Sequence, residues 1–247
     1  MYMAPPFIAY YAADQGNETL LRESVAQCSE YRQVLQSNAS DWGLWEHISG
    51  PQTQDRGLWS TGNGWAAAGM ARVLATVVKA PATDEDTSWR QEGIDSLTAW
   101  TMEILDGALA SSLDHGLVRN YMDQADDSEG HGFGEISGSA LLASVVYRMA
   151  VLQPQSCGSR YIAWADGVRG VLGGMHVTDE GVATPAVNPL GWQDPRPYTE
   201  GSPEGQAFVV MMYSAWRDCV LQGLCRKEQA VRRHRSREQR WRRRLPY

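Results

Sequence analysis

The sequence predicts an all-α protein of about seven helices whose helical hairpins curve into an α/α toroid. Three observations predict this fold class. Apolar residues recur with helical periodicity along most of the 247 residues, and no stretch alternates well enough to be a long strand. Short and long connections alternate between the predicted helices. The long connections also resemble one another, which indicates a repeated helical hairpin.

The predicted helices and the three long loops follow directly from this pattern. Each long loop has a Gly-apolar step soon after its start, and the steps at Gly43, Gly116 and Gly181 lie 73 and 65 residues apart. Each loop ends in small or helix-capping residues. The loops are expected at residues 37–62, 111–137 and 174–202, and the helices at roughly 4–13, 18–36, 63–78, 86–110, 138–152, 158–173 and 203–221.

The two helices of each hairpin differ in character. One is apolar on nearly every side, as in ALLASVVYRMAVL, and the other is amphipathic, as in ETLLRESVAQCSEYRQVLQ. The first kind belongs inside a toroid and the second outside. This arrangement places the long loops together at the N-terminal ends of the inner helices. Free backbone N–H groups and the positive helix ends converge there, so we expect the ligand site on that face.

Charge divides the chain into an acidic body, residues 1–225, and a basic extension, residues 226–247. The extension carries ten Lys or Arg and two Glu, a net charge of +8; the whole chain's −7 minus this +8 leaves −15 for the body. An acidic body argues against nucleic acid as its ligand. The extension is expected to be disordered or a helical tail, although its composition also suits nucleic acid or an anionic membrane.

The residues themselves indicate no metal site and no membrane partner. The cysteines form no Cys-x-x-Cys pair and lack a nearby histidine at ligand spacing, so neither a zinc site nor a redox motif is indicated. No apolar run is long enough to span a membrane. The first residues lack the features of a signal peptide and resemble the middle of a helix. The cellular compartment and the oligomeric state stay open.

Tryptophan use points to a binding surface in the loops. The chain has ten Trp against three Phe, and several lie in Gly-rich loops: Trp42, Trp45, Trp59 and Trp192. Indole offers a flat apolar face and one hydrogen-bond donor, which suits a ligand with mixed polarity. The alternative is that these side chains plug the ends of the helical core.

Two loop-to-helix junctions contain further candidates. In WSTGNGW, residues 59–65, the glycines permit a close backbone approach, Thr61 can cap, and Asn63 can bond backbone or ligand. A tight junction without any ligand is the alternative. In SPEGQ, Ser202 caps and Glu204 supports the first helical turn, and capping alone explains both residues.

His47 and Arg119 are the candidates with titratable or charged side chains. His47 lies between aromatic residues, where an imidazole suits polar contact with a sugar or proton handling. A histidine bonded to a backbone carbonyl is the structural alternative. Arg119 could bind a carboxylate through its planar fork, although most exposed arginines have no such role.

Four segments, in order, resemble the signatures of glycoside hydrolase family 88/105: GLWEHI, LWSTGNGWAAAGMARVL, EISGSALLASVVYRMAVL and SPEGQAFVVMMYSAW. The nearest resemblance is to fungal cell-wall relatives of unsaturated rhamnogalacturonyl hydrolase, and it runs from Met1 to about Cys225. It implies a six-hairpin α/α barrel. It also implies removal of a 4,5-unsaturated uronic acid from pectin-derived oligosaccharides such as those of rhamnogalacturonan, by hydration of the double bond and without a cofactor.

The resemblance also implies roles for individual residues. His47 would contact the unsaturated sugar or assist catalysis, and an oligosaccharide would be the partner of the folded body. The substrate-binding residues are expected to be Trp45, Trp59, Thr61, Asn63, Trp65, Arg119, Ser202 and Glu204.

Two departures from the family pattern limit what carries over. Thr61 stands where the family usually has an arginine that meets the substrate carboxylate, so substrate preference is open. The segment MYMAPPFIAYY resembles a family helix start whose catalytic aspartate would fall just before Met1. Seven helices are also fewer than the twelve of a closed barrel. We therefore expect an N-terminally truncated member of the family.

Three functional hypotheses follow. The first is an enzyme of this hydrolase class, which applies best to a longer parent protein. The second is a non-catalytic fragment that binds saccharide weakly, with apolar inner-helix surface exposed. The third is another α/α-toroid enzyme. An epimerase of this shape relies on several catalytic histidines, whereas the chain has five in all; a terpene cyclase needs Asp-rich metal motifs, and Asp126-Asp127 lacks the supporting pattern.

Overall fold

A computed structural model describes residues 1–37, 43–81, 87–125 and 130–226. The all-α prediction is confirmed, because these residues form seven α-helices and one short antiparallel ribbon. The ribbon joins β1 (Leu113–Asp114) to β2 (Leu117–Val118). The helices are α1 (Ala4–Asp14), α2 (Glu18–Leu35), α3 (Ser60–Lys79), α4 (Ser88–Ala110), α5 (Ile136–Leu152), α6 (Ser159–Met175) and α7 (Pro203–Leu221).

Burial separates an inner from an outer layer of helices. The inner helices α1, α3, α5 and α7 pack side by side, and each outer helix packs against an inner one. Fourteen of the seventeen residues of α5 are buried, whereas α2 buries four of eighteen. This difference matches the apolar and amphipathic patterns in the sequence. The two ends of the inner layer are less covered: Phe7 of α1 is 68% exposed and Val210 of α7 is 64% exposed.

The helix α3 begins three residues earlier than the sequence predicts. Gly62 and Gly64 lie inside its first two turns, and of these Gly62 was expected in the loop before the helix. Gly64 is tolerated there because of packing. A Cβ at this position would lie 3.1 Å from Leu141 Cδ2, so the missing side chain lets α3 approach α5 closely.

The three long loops meet at the N-terminal ends of α3, α5 and α7. The first and second loops pair as short antiparallel segments: Ser60 N donates to Asn120 O at 2.8 Å, and Met122 N donates to Leu58 O at 3.0 Å. The third loop joins them where Ile136 N donates to Pro185 O at 2.9 Å. These bonds satisfy backbone groups that the helix starts leave free.

A buried carboxylate fastens the starts of α3 and α5 together. Glu135 has 0% exposure and caps α5, accepting from Ser137 N at 2.6 Å and from Gly138 N. Its Oε1 also accepts from Ser60 Oγ and Thr61 Oγ1 of α3, each at 3.1 Å. Burial raises the pKa of Glu135, although the hydrogen bonds from Gly138 and Ser137 act in the opposite direction.

The C-terminal part of the described chain ends in a disulfide. Cys219, in the last turns of α7, is bonded to Cys225, while Cys28 and Cys157 are buried free thiols.

The described helices include none that is long and apolar enough to cross a membrane. Trp42, Asp126, Asp127 and residues 227–247 lie outside the described residues, so the basic extension stays a prediction.

Glu135→Gln should lower the free energy of unfolding by about 2–4 kcal/mol, because an amide offers one oxygen to four donors and turns N–H groups toward them. Urea denaturation measures the change. Glu200→Gln is the matched control, since Glu200 is exposed, and it should cost less than about 0.5 kcal/mol. Equal effects of the two substitutions would contradict this role.

Candidate functional site

Five ring side chains from the three long loops and α3 form a cluster at the loop end of the inner helices. We call His47, Trp59, Trp65, Tyr121 and Trp192 the aromatic cluster. The His47 ring centroid lies 4.4 Å from that of Trp59 and 4.7 Å from that of Trp192. Trp59 meets Trp65 edge to face at 5.1 Å. Trp59 and Tyr121 are buried, whereas Trp65 and Trp192 remain half-buried and present part of their surface to solvent.

Specific hydrogen bonds orient the two helix tryptophans. Trp59 is the N-cap residue of α3, and its Nε1 donates to Asn120 Oδ1 at 2.9 Å. Trp65 Nε1 donates to Glu204 Oε1, also at 2.9 Å, which links α3 to the first turn of α7. Partial burial raises the pKa of Glu204, and the bond from Trp65 opposes that shift. Indole planes held in this way offer fixed apolar faces.

A three-residue network joins His47 to the second loop. His47 Nδ1 lies 2.8 Å from Asp55 Oδ2 and 3.1 Å from the Tyr121 hydroxyl. The Tyr121 hydroxyl donates to the same Asp55 Oδ2 at 2.6 Å. Asp55 Oδ1 accepts from Gly57 N at 2.9 Å. The Asp55 carboxylate therefore contacts His47 and Tyr121 through Oδ2 and its own turn, at Gly57, through Oδ1.

The environment sets the protonation states of this network. Burial lowers the pKa of His47, although the hydrogen bond and charge of Asp55 act in the opposite direction. Burial alone would raise the pKa of Asp55, but bonds from Tyr121, Gly57 and His47 lower it overall. Burial and the neighbouring Asp55 raise the pKa of Tyr121 well above its usual range. At neutral pH the network thus contains a carboxylate, a phenol and an uncharged imidazole.

The structure brings four of the predicted site residues together at the cluster: His47, Trp59, Trp65 and Glu204. Ser202 lies close to Glu204 in sequence but is buried, and its Oγ accepts from Gly205 N at 3.2 Å. This bond is the capping role that the sequence offered as the alternative.

Thr61 and Asn63 have internal partners instead of a surface position. Thr61 is 0% exposed and bonds Glu135, and Asn63 is 1% exposed. Asn63 Nδ2 donates to Trp45 O and Trp59 O, both at 3.0 Å, and its Oδ1 accepts from Trp45 N at 2.8 Å. In this conformation neither side chain can touch a ligand, so we assign both to loop construction.

Trp45 and Arg119 also lie apart from the cluster's accessible surface. Trp45 is 2% exposed and packs in the main hydrophobic core. This agrees with the alternative prediction that the loop tryptophans plug the ends of the helical core. The Arg119 guanidinium donates to Gly132 O and, at 3.1 Å, to Ser112 Oγ, bonds that hold the second loop together. A ligand carboxylate would have to compete with these partners.

Sequence reasoning missed Asp55, Tyr121 and Asn120. Asp55 and Tyr121 are 66 positions apart, and only the pairing of the first and second loops brings them into contact. Residues 116–121 are one of the repeated loop segments, so the repeat did indicate the loop that contains Tyr121. Nothing in the local sequence distinguishes Asp55 from an ordinary turn aspartate.

A separate cavity of about 600 Å³ lies between the inner helices at the end opposite the long loops. Alanines of α3 form much of its lining, and its two arginines are already engaged. Arg72 donates to the Tyr2 hydroxyl at 2.7 Å, and Arg148 pairs with Asp218 at 2.6 Å. The aromatic cluster combines apolar faces with oriented polar groups, so it is the better candidate.

The described ranges contain no group of three or more His, Cys, Asp or Glu side chains that could hold a metal ion. The absence of a metal and of an organic cofactor stays a prediction.

Gly57→Ala should disturb the network, because an added Cβ would overlap the Tyr121 ring. We expect a loss of about 1–3 kcal/mol in unfolding free energy, measured by urea denaturation. Gly167→Ala on the outer helix α6 is the control. A Cβ there meets no atom within 4 Å, so the change should be neutral or stabilising. Equal losses in both variants would refute the close approach.

The pH dependence of His47 tests the lowered pKa. NMR titration should place its midpoint below the ordinary value of 6.5. Since the unfolded chain then binds the proton more readily, this group's contribution to stability is lost as the pH falls through 6.5 and below. His47→Asn should reduce the loss of stability over that range. A midpoint above 6.5 in the folded protein would contradict the assignment.

Comparisons with known proteins give the chain a family. The model for Glycosyl Hydrolase Family 88 matches residues 1–216. Among curated protein sequences, no match is found. Solved structures share the fold: a possible GH105 member from Salmonella enterica superposes with a TM-score of 0.70 at 16% identity, covering 87% of this chain and 55% of that one.

Two further structures agree. A polysaccharide lyase superposes with a TM-score of 0.71 at 18% identity, with 92% of this chain and 62% of that chain covered. A family 88 glycosyl hydrolase from Bacteroides vulgatus gives 0.65 at 16% identity, with 88% and 61% covered. The chain thus spans less than two thirds of the length of these proteins. The solved structures share the helical-hairpin fold. The match over residues 1–216 shows that this chain belongs to glycoside hydrolase family 88.

Proposed function

We propose that the aromatic cluster binds the terminal sugar of a uronic-acid-containing oligosaccharide and that the protein acts on it as a glycoside hydrolase. The observation that carries this proposal is that Trp59 and Trp192 pack against the imidazole of His47, while Trp65 packs against Trp59. Indole faces stack on the apolar faces of sugar rings, and a few fixed polar groups then set the orientation. Membership of family 88 supports the reaction class.

The finer proposal concerns the substrate and the reaction. We take the substrate to be an oligosaccharide from pectin, of the rhamnogalacturonan type, that ends in a 4,5-unsaturated uronic acid. The reaction is hydration of the double bond, which releases the sugar. The ordered motifs in the sequence and the likeness to a polysaccharide lyase and to GH105 structures support this choice.

Within this proposal the polar groups of the cluster have distinct tasks. His47 offers its Nε2 to a sugar hydroxyl or to water, since its Nδ1 is already bound. Glu204 holds Trp65 in place and lies at the rim. Thr61 supplies no cation for the uronate carboxylate, because a buried hydroxyl occupies that position. We therefore expect weaker uronate binding than an arginine at this position would give.

The second candidate function is saccharide binding without turnover. The observation that favours it is that both carboxylates at the cluster already have partners. Asp55 accepts from Tyr121 and Gly57 and contacts His47, and Glu204 accepts from Trp65. A general acid must give up a proton to the substrate, which Asp55 does poorly because its donors hold it ionised.

An unsaturated galacturonyl-rhamnose disaccharide separates the two candidates. Binding is measured by calorimetry, and turnover by loss of the alkene absorbance. Trp192→Ala should weaken binding about tenfold, roughly 1.4 kcal/mol, by removing one wall of the cluster. Trp164→Ala, which removes a half-buried tryptophan of the outer helix α6, should leave affinity unchanged.

Each result decides between the candidates. Binding together with loss of absorbance supports the hydrolase. Binding at constant absorbance supports the second candidate. No binding by the unaltered protein, or equal losses of affinity in the two tryptophan variants, would contradict both.

A further inference from the structure

The two nitrogens of His47 face different surroundings. Nδ1 is shared between Asp55 Oδ2 at 2.8 Å and the Tyr121 hydroxyl at 3.1 Å. In the described part of the chain, no residue bonds Nε2. The ring itself lies between Trp59 and Trp192, and its side chain keeps 11% exposure. One end of the imidazole is thus held inside the protein, and the other end is available.

The partners of Nδ1 decide where the proton of the neutral ring sits. An ionised carboxylate only accepts hydrogen bonds, so the short contact between Nδ1 and Asp55 requires a hydrogen on Nδ1. The Tyr121 hydroxyl directs its own hydrogen to Asp55, to which it is closer than to His47. The Tyr121 hydroxyl therefore does not donate a hydrogen bond to Nδ1 of His47. The lone pair of the neutral ring must then lie on Nε2.

We propose that Asp55 and Tyr121 are positioning residues that keep the proton of His47 on Nδ1 and so present Nε2 as a hydrogen-bond acceptor to the ligand. The inference deepens the proposed function and rests on it for the ligand, a saccharide hydroxyl or the water that it brings. The opposite tautomer would turn an N–H toward the same group. It could then neither accept a hydroxyl hydrogen nor take a proton from water.

The loops are built to hold this pair in place. Trp59 and Tyr121 are paired in an antiparallel bridge, which sets Tyr121 beside the turn that carries Asp55. A side chain on Gly57 would collide with the Tyr121 ring, so the turn approaches the phenol as closely as a glycine allows. Gly57 N in turn fixes Asp55 Oδ1 at 2.9 Å. Each partner of His47 is thus held by a bond that does not involve His47.

Nitrogen-15 NMR of histidine-labelled protein reads the tautomer directly, because protonated and unprotonated ring nitrogens have well-separated shifts. His47→Asn identifies the signals of His47. We expect the Nδ1–H form in the unaltered protein at neutral pH. Asp55→Asn should shift the tautomer ratio toward Nε2–H at least about tenfold, because an asparagine N–H can donate to Nδ1. Tyr121→Phe should shift it less, since Asp55 remains.

The chain contains a matched control pair. Tyr161 donates to Asp106 at 2.8 Å between the outer helices α6 and α4, a tyrosine–aspartate bond of the same kind. Tyr161→Phe and Asp106→Asn should leave the His47 signals unchanged. Thermal unfolding of every variant shows whether it is folded at the NMR temperature, and Tyr121→Phe carries the test if Asp55→Asn is not.

Function gives an independent readout. With the galacturonyl-rhamnose disaccharide, Asp55→Asn should lose on the order of tenfold to hundredfold in affinity or turnover, by analogy with the loss seen when the hydrogen-bond partner of a metal-ligating histidine is removed. An Nε2–H form in the unaltered protein, or an unchanged ratio in Asp55→Asn, overturns this inference. Failure of the unaltered protein to bind the disaccharide overturns the proposed function and leaves the tautomer result standing.

Discussion

One buried carboxylate, Glu135, determines how the loop end of this protein is built. It lies where α3 and α5 begin and accepts hydrogen bonds from both, so the two inner helices start at a common point. Burying a carboxylate is costly unless donors surround it, and here four donors converge. The loops that precede α3 and α5 must therefore run side by side, and their backbone pairing follows from that requirement.

The aromatic cluster is a consequence of this pairing. Trp59 is the residue just before the first turn of α3, Tyr121 lies opposite it in the second loop, and the third loop adds Trp192. None of the three loops forms the cluster alone. The distant contact between Asp55 and Tyr121 gives His47 a fixed orientation within it. The chemistry at His47 thus depends on an arrangement that begins where Glu135 joins the starts of α3 and α5.

The fold was predictable from the sequence because its signals are local. Apolar periodicity marks the inner helices, and repeated glycine steps mark the loops. The site was less predictable, since a hydroxyl or an amide suits a ligand and a backbone group equally well. Thr61 and Asn63 bond the protein itself, and only the packed structure shows this. The early start of α3 at Ser60 was missed for the same reason, because the hydroxyls of Ser60 and Thr61 bond Glu135, which is distant in sequence.

The central claim is that a saccharide binds at the aromatic cluster with His47 as its polar anchor. A crystal structure of the protein with the unsaturated galacturonyl-rhamnose disaccharide tests it most directly. The account predicts a sugar ring stacked on Trp65 or Trp192, with one hydroxyl within hydrogen-bond distance of His47 Nε2. A disaccharide bound in the cavity at the opposite end of the inner helices, with the cluster empty, would contradict it.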